Sequence, residues 1–72
     1  MVSLQIISKI LATKDSSILE DNLLTRDFFV GYENEYDFLV QHEKEYGAVP
    51  DKATRLKATS IINFPAFILL IN

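Results

Sequence analysis

The ionisable and nucleophilic residues of this chain offer little material for catalysis. His42 is the only histidine, and the chain has no cysteine. A Cys-His pair and a cluster of histidine ligands for zinc are therefore both excluded. His42 follows Phe38 by four residues on a charged segment, which is typical of a surface or boundary histidine. The sequence predicts no catalytic residue, no metal ligand and no enzymatic activity for this chain.

The acidic residues could supply the paired carboxylates that general acid–base chemistry needs. The candidates cluster in one segment: Glu33, Glu35, Asp37, Glu43 and Glu45. Carboxylates two residues apart point to different sides of a helix. The pattern therefore favours a solvated helix face over a catalytic pair.

Binding sites for nucleotides and nucleic acids are disfavoured as well. Gly31 and Gly47 are the only glycines, so neither GxGxxG nor GxxxxGK[ST] occurs and no phosphate-binding loop or cofactor site is expected. The net charge is −3, whereas contact with phosphate backbones needs clustered lysine and arginine. Only Lys52, Arg55 and Lys57 cluster, and three charges on one helix are typical of a solvated face.

Aromatic residues are concentrated within residues 25–51, which hold six of the chain's eight. A base-stacking platform would have interleaved basic residues, but here glutamates and aspartates lie between the aromatics. The pattern favours core packing, with a protein-partner surface as the alternative. The candidate core or partner residues are Phe28, Phe29, Tyr32, Tyr36, Leu39 and Tyr46.

Apolar periodicity predicts an all-α fold, a small bundle of about four helices. The first helix spans residues 2–13. A short second helix runs from Ser17 to about Leu24, after Asp15 or Ser16 as N-cap. Thr25 is expected to cap a single turn containing Phe28 and Phe29. The last helix is KATRLKATSII, residues 52–62, with Asp51 as its N-cap.

The central helix is predicted to begin at Tyr32 and to end at Gly47 in a left-handed conformation. Its apolar stripe would consist of Tyr32, Tyr36, Leu39, Val40 and Tyr46. The polar residues would mostly face water: Glu33, Glu35, Asp37, Gln41, Glu43 and Lys44.

The chain divides into a helical domain at residues 1–62 and an apolar C-terminal tail at residues 63–72. The tail, NFPAFILLIN, is expected to be extended, as a strand or a strand-like piece of a larger unit. Its apolar run falls far short of the roughly 20 residues that span a bilayer. The N-terminus lacks the charged and apolar regions of a signal peptide. We expect a cytoplasmic location without membrane attachment.

The order of these features resembles the N-terminal domain of replicative DNA helicases of the DnaB type, particularly the phage and prophage variety. The resemblance covers residues 4 to 56, with a weaker echo at 64 to 67. Its motifs are IISKILATKDS, LEDNLLTRDFF, YENEYDFLVQHEKEYG, the turn GAVPD, and NFPAF.

The resemblance implies an orthogonal helical bundle that acts in DNA replication by assembly. Its partners would be replicative helicase subunits, primase or the helicase loader, and a homo-oligomer is left open. The resemblance places the ATP-dependent helicase activity of full-length relatives in an ATPase domain, which we expect this chain to lack. The family's helical hairpin is replaced by ATSIINFPAFILLIN, as expected for a truncated or degenerate copy.

Two alternatives to this function are considered. A small phage or prophage regulator could bind and inhibit a host replication protein, and the acidic charge suits such an inhibitor. A membrane-surface protein could use the apolar tail, although basic residues that would flank it are missing.

Overall fold

A computed structural model describes residues 2–70. Met1 of the predicted helical domain, and Ile71 and Asn72 of the predicted tail, lie outside the described residues. The all-α prediction is confirmed, and residues 2–70 contain no strand. Five α-helices and one 3-10 turn, η1, follow one another: α1 (Val2–Thr13), α2 (Ser17–Asp21), η1 (Arg26–Phe28), α3 (Glu33–Tyr46), α4 (Lys52–Thr59) and α5 (Pro65–Leu69).

A single apolar core joins the first helix to the last. Side chains from α1, α2, α3, α5 and the residue after η1 contribute to it, whereas α4 contributes none of the fully buried residues. Burial of each large side chain is worth about 1.5–3 kcal/mol, so the core is the main source of stability. The buried apolar residues are Ile7, Ile10, Leu19, Phe29, Leu39, Phe64, Ala66 and Phe67.

The predicted boundaries of α3 and the start of α4 are confirmed within a residue. Tyr32 is the N-cap of α3, and Gly47 ends the helix at φ 68°, with its N–H donating to the Glu43 carbonyl over 2.7 Å. Glycine suits this position because it has no Cβ to oppose a left-handed backbone. Asp51 caps α4 by accepting a hydrogen bond from the Thr54 N–H at 2.8 Å.

Helix α2 ends three residues earlier than predicted, at Asp21. The side-chain amide of Asn22 donates to the Ile18 carbonyl over 3.0 Å. Leu23 then takes a left-handed conformation, φ 52°, which takes the chain out of the helix. Asparagine competes in this way for backbone hydrogen bonds, which explains why an apolar pattern alone overestimated the helix.

Helix α4 ends at Thr59 rather than at residue 62. The Thr59 hydroxyl donates to the Leu56 carbonyl at 2.8 Å, and the Ser60 hydroxyl donates to the Lys57 carbonyl at 2.6 Å. Hydroxyls that bond backbone carbonyls in this way offer the chain an alternative to further helical turns.

The expectation of an extended tail is wrong, because Pro65–Leu69 form α5. Proline at the first helical position has a backbone already suited to a helix and lacks only an N–H that would be unpaired there. The tail is fixed to the core by aromatic contacts: the ring centroids of Phe38 and Phe64 lie 5.3 Å apart, and those of Phe38 and Phe67 lie 5.7 Å apart.

The predicted faces of α3 need three corrections. Glu35, expected to face water, has no exposed surface at all. Val40 and Tyr46, expected on the apolar stripe, are exposed. Glu35 lies three and four residues before Phe38 and Leu39, so the helical spacing that places these two in the core also places Glu35 there.

Candidate functional site

The six candidate core or partner residues divide into three groups. Phe29 and Leu39 are buried, Tyr32 and Tyr36 are half-buried, and Phe28 and Tyr46 are exposed. Phe29 stacks on Tyr36 with ring centroids 5.2 Å apart. These contacts hold η1 against α3, so most of the aromatic block is part of the core and only Phe28 and Tyr46 are exposed.

One exposed end of the aromatic block lies in a cleft between the end of α3 and the start of α4. We call it the tyrosine cleft, and its volume is about 620 Å³. The rings of His42 and Tyr46 lie 4.7 Å apart and those of Phe38 and His42 lie 6.1 Å apart. Tyr46 is 69% exposed, so a large amphipathic side chain is available at the rim of the cleft. The residues that define the cleft are Phe38, Gln41, His42, Glu45, Tyr46, Ala48, Val49, Asp51 and Thr54.

His42 is hydrogen-bonded to the backbone beside the cleft. Its Nδ1 lies 2.7 Å from the Ala48 carbonyl oxygen. A carbonyl can only accept, so Nδ1 carries the proton and donates. The bond ties α3 to the turn that precedes α4 and fixes the imidazole beside Tyr46. The prediction of a boundary histidine agrees with its half-buried position.

A second concave surface, the leucine groove, lies between α2 and α3 and has a volume of about 490 Å³. The Ser16 hydroxyl donates to a Glu43 carboxylate oxygen and links the start of α2 to α3. Leu23 projects at the edge of the groove and is 86% exposed. The apolar residues that define the groove are Leu19, Leu23, Leu24, Tyr36, Leu39 and Val40.

Glu35 is the residue with unusual chemistry that sequence reasoning missed. Its Oε2 accepts a hydrogen bond from the Ala66 N–H at 2.6 Å, and its Oε1 is buried without a partner among the described residues. Burial is the main cause that raises the pKa of the Glu35 carboxyl, against the lowering effect of the Ala66 hydrogen bond. Glu35 lines neither the tyrosine cleft nor the leucine groove. Its position identifies it as the cap of α5.

Two further findings concern residues 2–70 only. No group of three or more histidine, cysteine, aspartate or glutamate side chains in this range is placed to hold a metal ion. Within the same range, every helix is too short or too polar to cross a membrane.

Comparison of the chain with protein-family models, with curated proteins and with solved structures found no match.

Proposed function

We propose that this chain is a non-catalytic protein-interaction domain that acts in DNA replication, and that the tyrosine cleft is where it contacts a protein of the replicative helicase assembly. The observation that carries the proposal is the exposed Tyr46 ring, held at the rim of the cleft by His42. Tyrosine is enriched at the energetic centres of protein interfaces because it combines a large apolar ring with a hydroxyl.

The resemblance to helicase N-terminal domains supports the choice of partner. Two of the segments that carry it correspond to helices of the fold: IISKILATKDS includes most of α1, and YENEYDFLVQHEKEYG includes all of α3. The GAVPD turn supplies Ala48 and Val49 to the tyrosine cleft. The cleft is therefore built mainly from YENEYDFLVQHEKEYG and GAVPD, two motifs that are adjacent in the chain.

The proposal is tested by binding measurements with three purified proteins, the host replicative helicase, its primase and its loader. We expect at least one of them to bind the immobilised chain at micromolar concentration. Tyr46→Ala should weaken that binding about tenfold or more, since loss of an interface anchor costs about 2 kcal/mol. Val2→Ala is the matched control, because Val2 is 62% exposed on α1 and lies outside the cleft.

Absence of binding to all three proteins would refute the proposed role. Equal binding by Tyr46→Ala and the wild type would refute the tyrosine cleft as the contact surface. Overproduction in a host separates an assembly domain from an inhibitor: arrest of DNA synthesis that Tyr46→Ala relieves would identify the inhibitor of a replication protein.

A further inference from the structure

The charges of this chain are segregated along its length. Every acidic residue except Asp51 lies within residues 15–45, where Arg26 and Lys44 are the only bases. In contrast, α4 carries Lys52, Arg55 and Lys57 and no acid. The two regions therefore attract each other electrostatically between molecules, and the leucine groove lies in the acidic one.

The leucine groove has both apolar walls and acidic neighbours. Leu19 and Leu39 form its buried floor, while Leu23 and Val40 remain 86% and 42% exposed. Leu23 also has a left-handed backbone, a conformation that is unfavourable for leucine. Glu20 and Glu43 line the groove, with Lys44 as the only base among its lining residues.

Helix α4 presents the complementary shape and charge. Ala53, Leu56, Lys57 and Ser60 are all exposed, and their spacing of three and four residues places them on one side of the helix. Ile61 follows Lys57 by four residues, in the turn after the helix, and is 78% exposed. We call Leu56, Lys57 and Ile61 the α4 ridge. None of these residues lines the leucine groove.

We propose that the α4 ridge of one copy of this chain docks in the leucine groove of a second copy. Leu56 and Ile61 fill the groove, and Lys57 lies near Glu20 or Glu43. The groove has room for them, since a cavity of about 150 Å³ holds a benzene-sized group and the groove measures about 490 Å³.

This contact joins two different surfaces and is therefore heterologous. A heterologous contact leaves a free groove on one copy and a free ridge on the other, so it extends into a ring or an open chain of subunits. The inference is independent of the proposed replication role, because it involves only this chain and neither Tyr46 nor the tyrosine cleft.

The first experiment measures the mass of the wild-type chain by sedimentation across micromolar to millimolar concentrations. We expect a mass that rises with concentration and falls as salt is added, because salt screens the Lys57 pairing. A monomer across the whole range would overturn the proposal, as would a two-fold dimer that does not extend.

Complementation between two variants tests the specific pairing. Val40→Lys blocks the groove with an apolar-to-basic change, and Ile61→Asn blocks the ridge with an apolar-to-polar change that cannot form an ion pair with the lysine introduced in the other variant. Both positions are exposed, so circular dichroism and thermal melts should show an unchanged fold. Each variant alone should be monomeric, whereas an equimolar mixture should give a discrete species of twice the chain mass, formed by the ridge of one variant and the groove of the other.

The matched control is Val2→Lys, which adds a charge to an exposed position of α1 outside both surfaces. It should associate like the wild type. A mixture of Val40→Lys and Ile61→Asn that stays monomeric would overturn the pairing, as would self-association by either variant alone at the wild-type level. Failure to bind a helicase, primase or loader would leave all these results unaffected.

Discussion

Two helices of this fold begin in the same way and differ in where the cap comes from. Asp51 accepts a hydrogen bond from the Thr54 N–H at 2.8 Å, three residues along the chain and in contact with water. Glu35 accepts one from the Ala66 N–H at 2.6 Å, across 31 residues of sequence and in the core. The first carboxylate starts a helix, whereas the second also joins α5 to α3.

Burial gives the two carboxylates opposite electrostatics. The Thr54 hydrogen bond lowers the pKa of Asp51, because it stabilises the ionised carboxylate and water still solvates that charge. Burial raises the pKa of Glu35, because the Ala66 hydrogen bond alone does not replace the water that the carboxylate lost. A backbone hydrogen bond to the carboxylate therefore goes with a favoured ionised form in Asp51 at the surface. In Glu35, in the core, burial disfavours the ionised form despite such a bond.

Removal of the remote cap should have the largest effect. Glu35→Ala leaves the Ala66 N–H without an acceptor and opens a void beside the core, and we expect a loss of about 2–4 kcal/mol of unfolding free energy. Urea denaturation measures the loss. Glu33→Ala is the matched control on the same helix and should change stability much less. Equal losses in the two variants would show that Glu35 does not cap α5.

Replacement of Glu35 by glutamine separates the hydrogen bond from the charge. Glutamine keeps a carbonyl oxygen for the Ala66 N–H and never ionises. In the wild type the unfolded chain ionises at a lower pH than the folded one, so Glu35 lowers stability as pH rises from the unfolded pKa through the raised folded pKa. We expect Glu35→Gln to melt higher than the wild type at pH 7 and equally at a pH below the unfolded pKa, where Glu35 is protonated in both states.

Thermal melts across this pH range measure the Glu35→Gln effect. A variant that melts lower than the wild type at pH 7 would show that the carboxylate charge stabilises the start of α5 by more than its burial costs. The pH dependence contributed by Glu35 would then have the opposite sign.

The distance in sequence between a cap and its helix decided which of the two caps could be predicted. Asp51 was predictable because an N-cap and its helix are adjacent in sequence, and Gly47 for the same reason at the end of α3. Glu35 was not, because its partner lies in a segment that looked like a strand. Two features could have indicated it: Glu35 has the helical spacing of Phe38 and Leu39, and Phe64 cannot cap α5 with its own side chain.

The candidate surfaces show the same limit. Leu39 was predicted on the apolar stripe of α3 from its helical spacing, and Phe29 was a candidate core residue as part of the aromatic block; both are buried. Spacing also placed Val40 and Tyr46 on the apolar stripe, although both are exposed. Helical spacing identifies one side of a helix but does not show which positions on that side a neighbouring element covers.

Removal of the local cap should have a smaller effect than removal of the remote one. Asp51→Ala loses one hydrogen bond at an exposed helix end, where water can replace the lost acceptor. We expect a decrease of a few degrees in Tm and no change in the aromatic near-ultraviolet dichroism that reports the Phe38–Phe64 packing. A loss as large as that of Glu35→Ala would contradict the distinction between a local and a remote cap.

The smallest expected effect is that of Asp51→Asn, and its sign completes the comparison. Asparagine is nearly as good an N-cap as aspartate, so at pH 7 the variant should melt only slightly below the wild type. The folded pKa of Asp51 is lowered, so its stabilisation is present above the unfolded pKa and is lost as pH falls through the folded pKa.

The difference in Tm between the wild type and Asp51→Asn should therefore vanish on acidification, because the wild type loses stability. The difference in Tm between the wild type and Glu35→Gln should also vanish on acidification, but because the wild type gains stability. Thermal melts of both variants against the wild type, at low salt, should give pH profiles of opposite slope. Profiles of the same slope would mean that both carboxylates experience the same solvent, and that the burial of Glu35 does not control its ionisation.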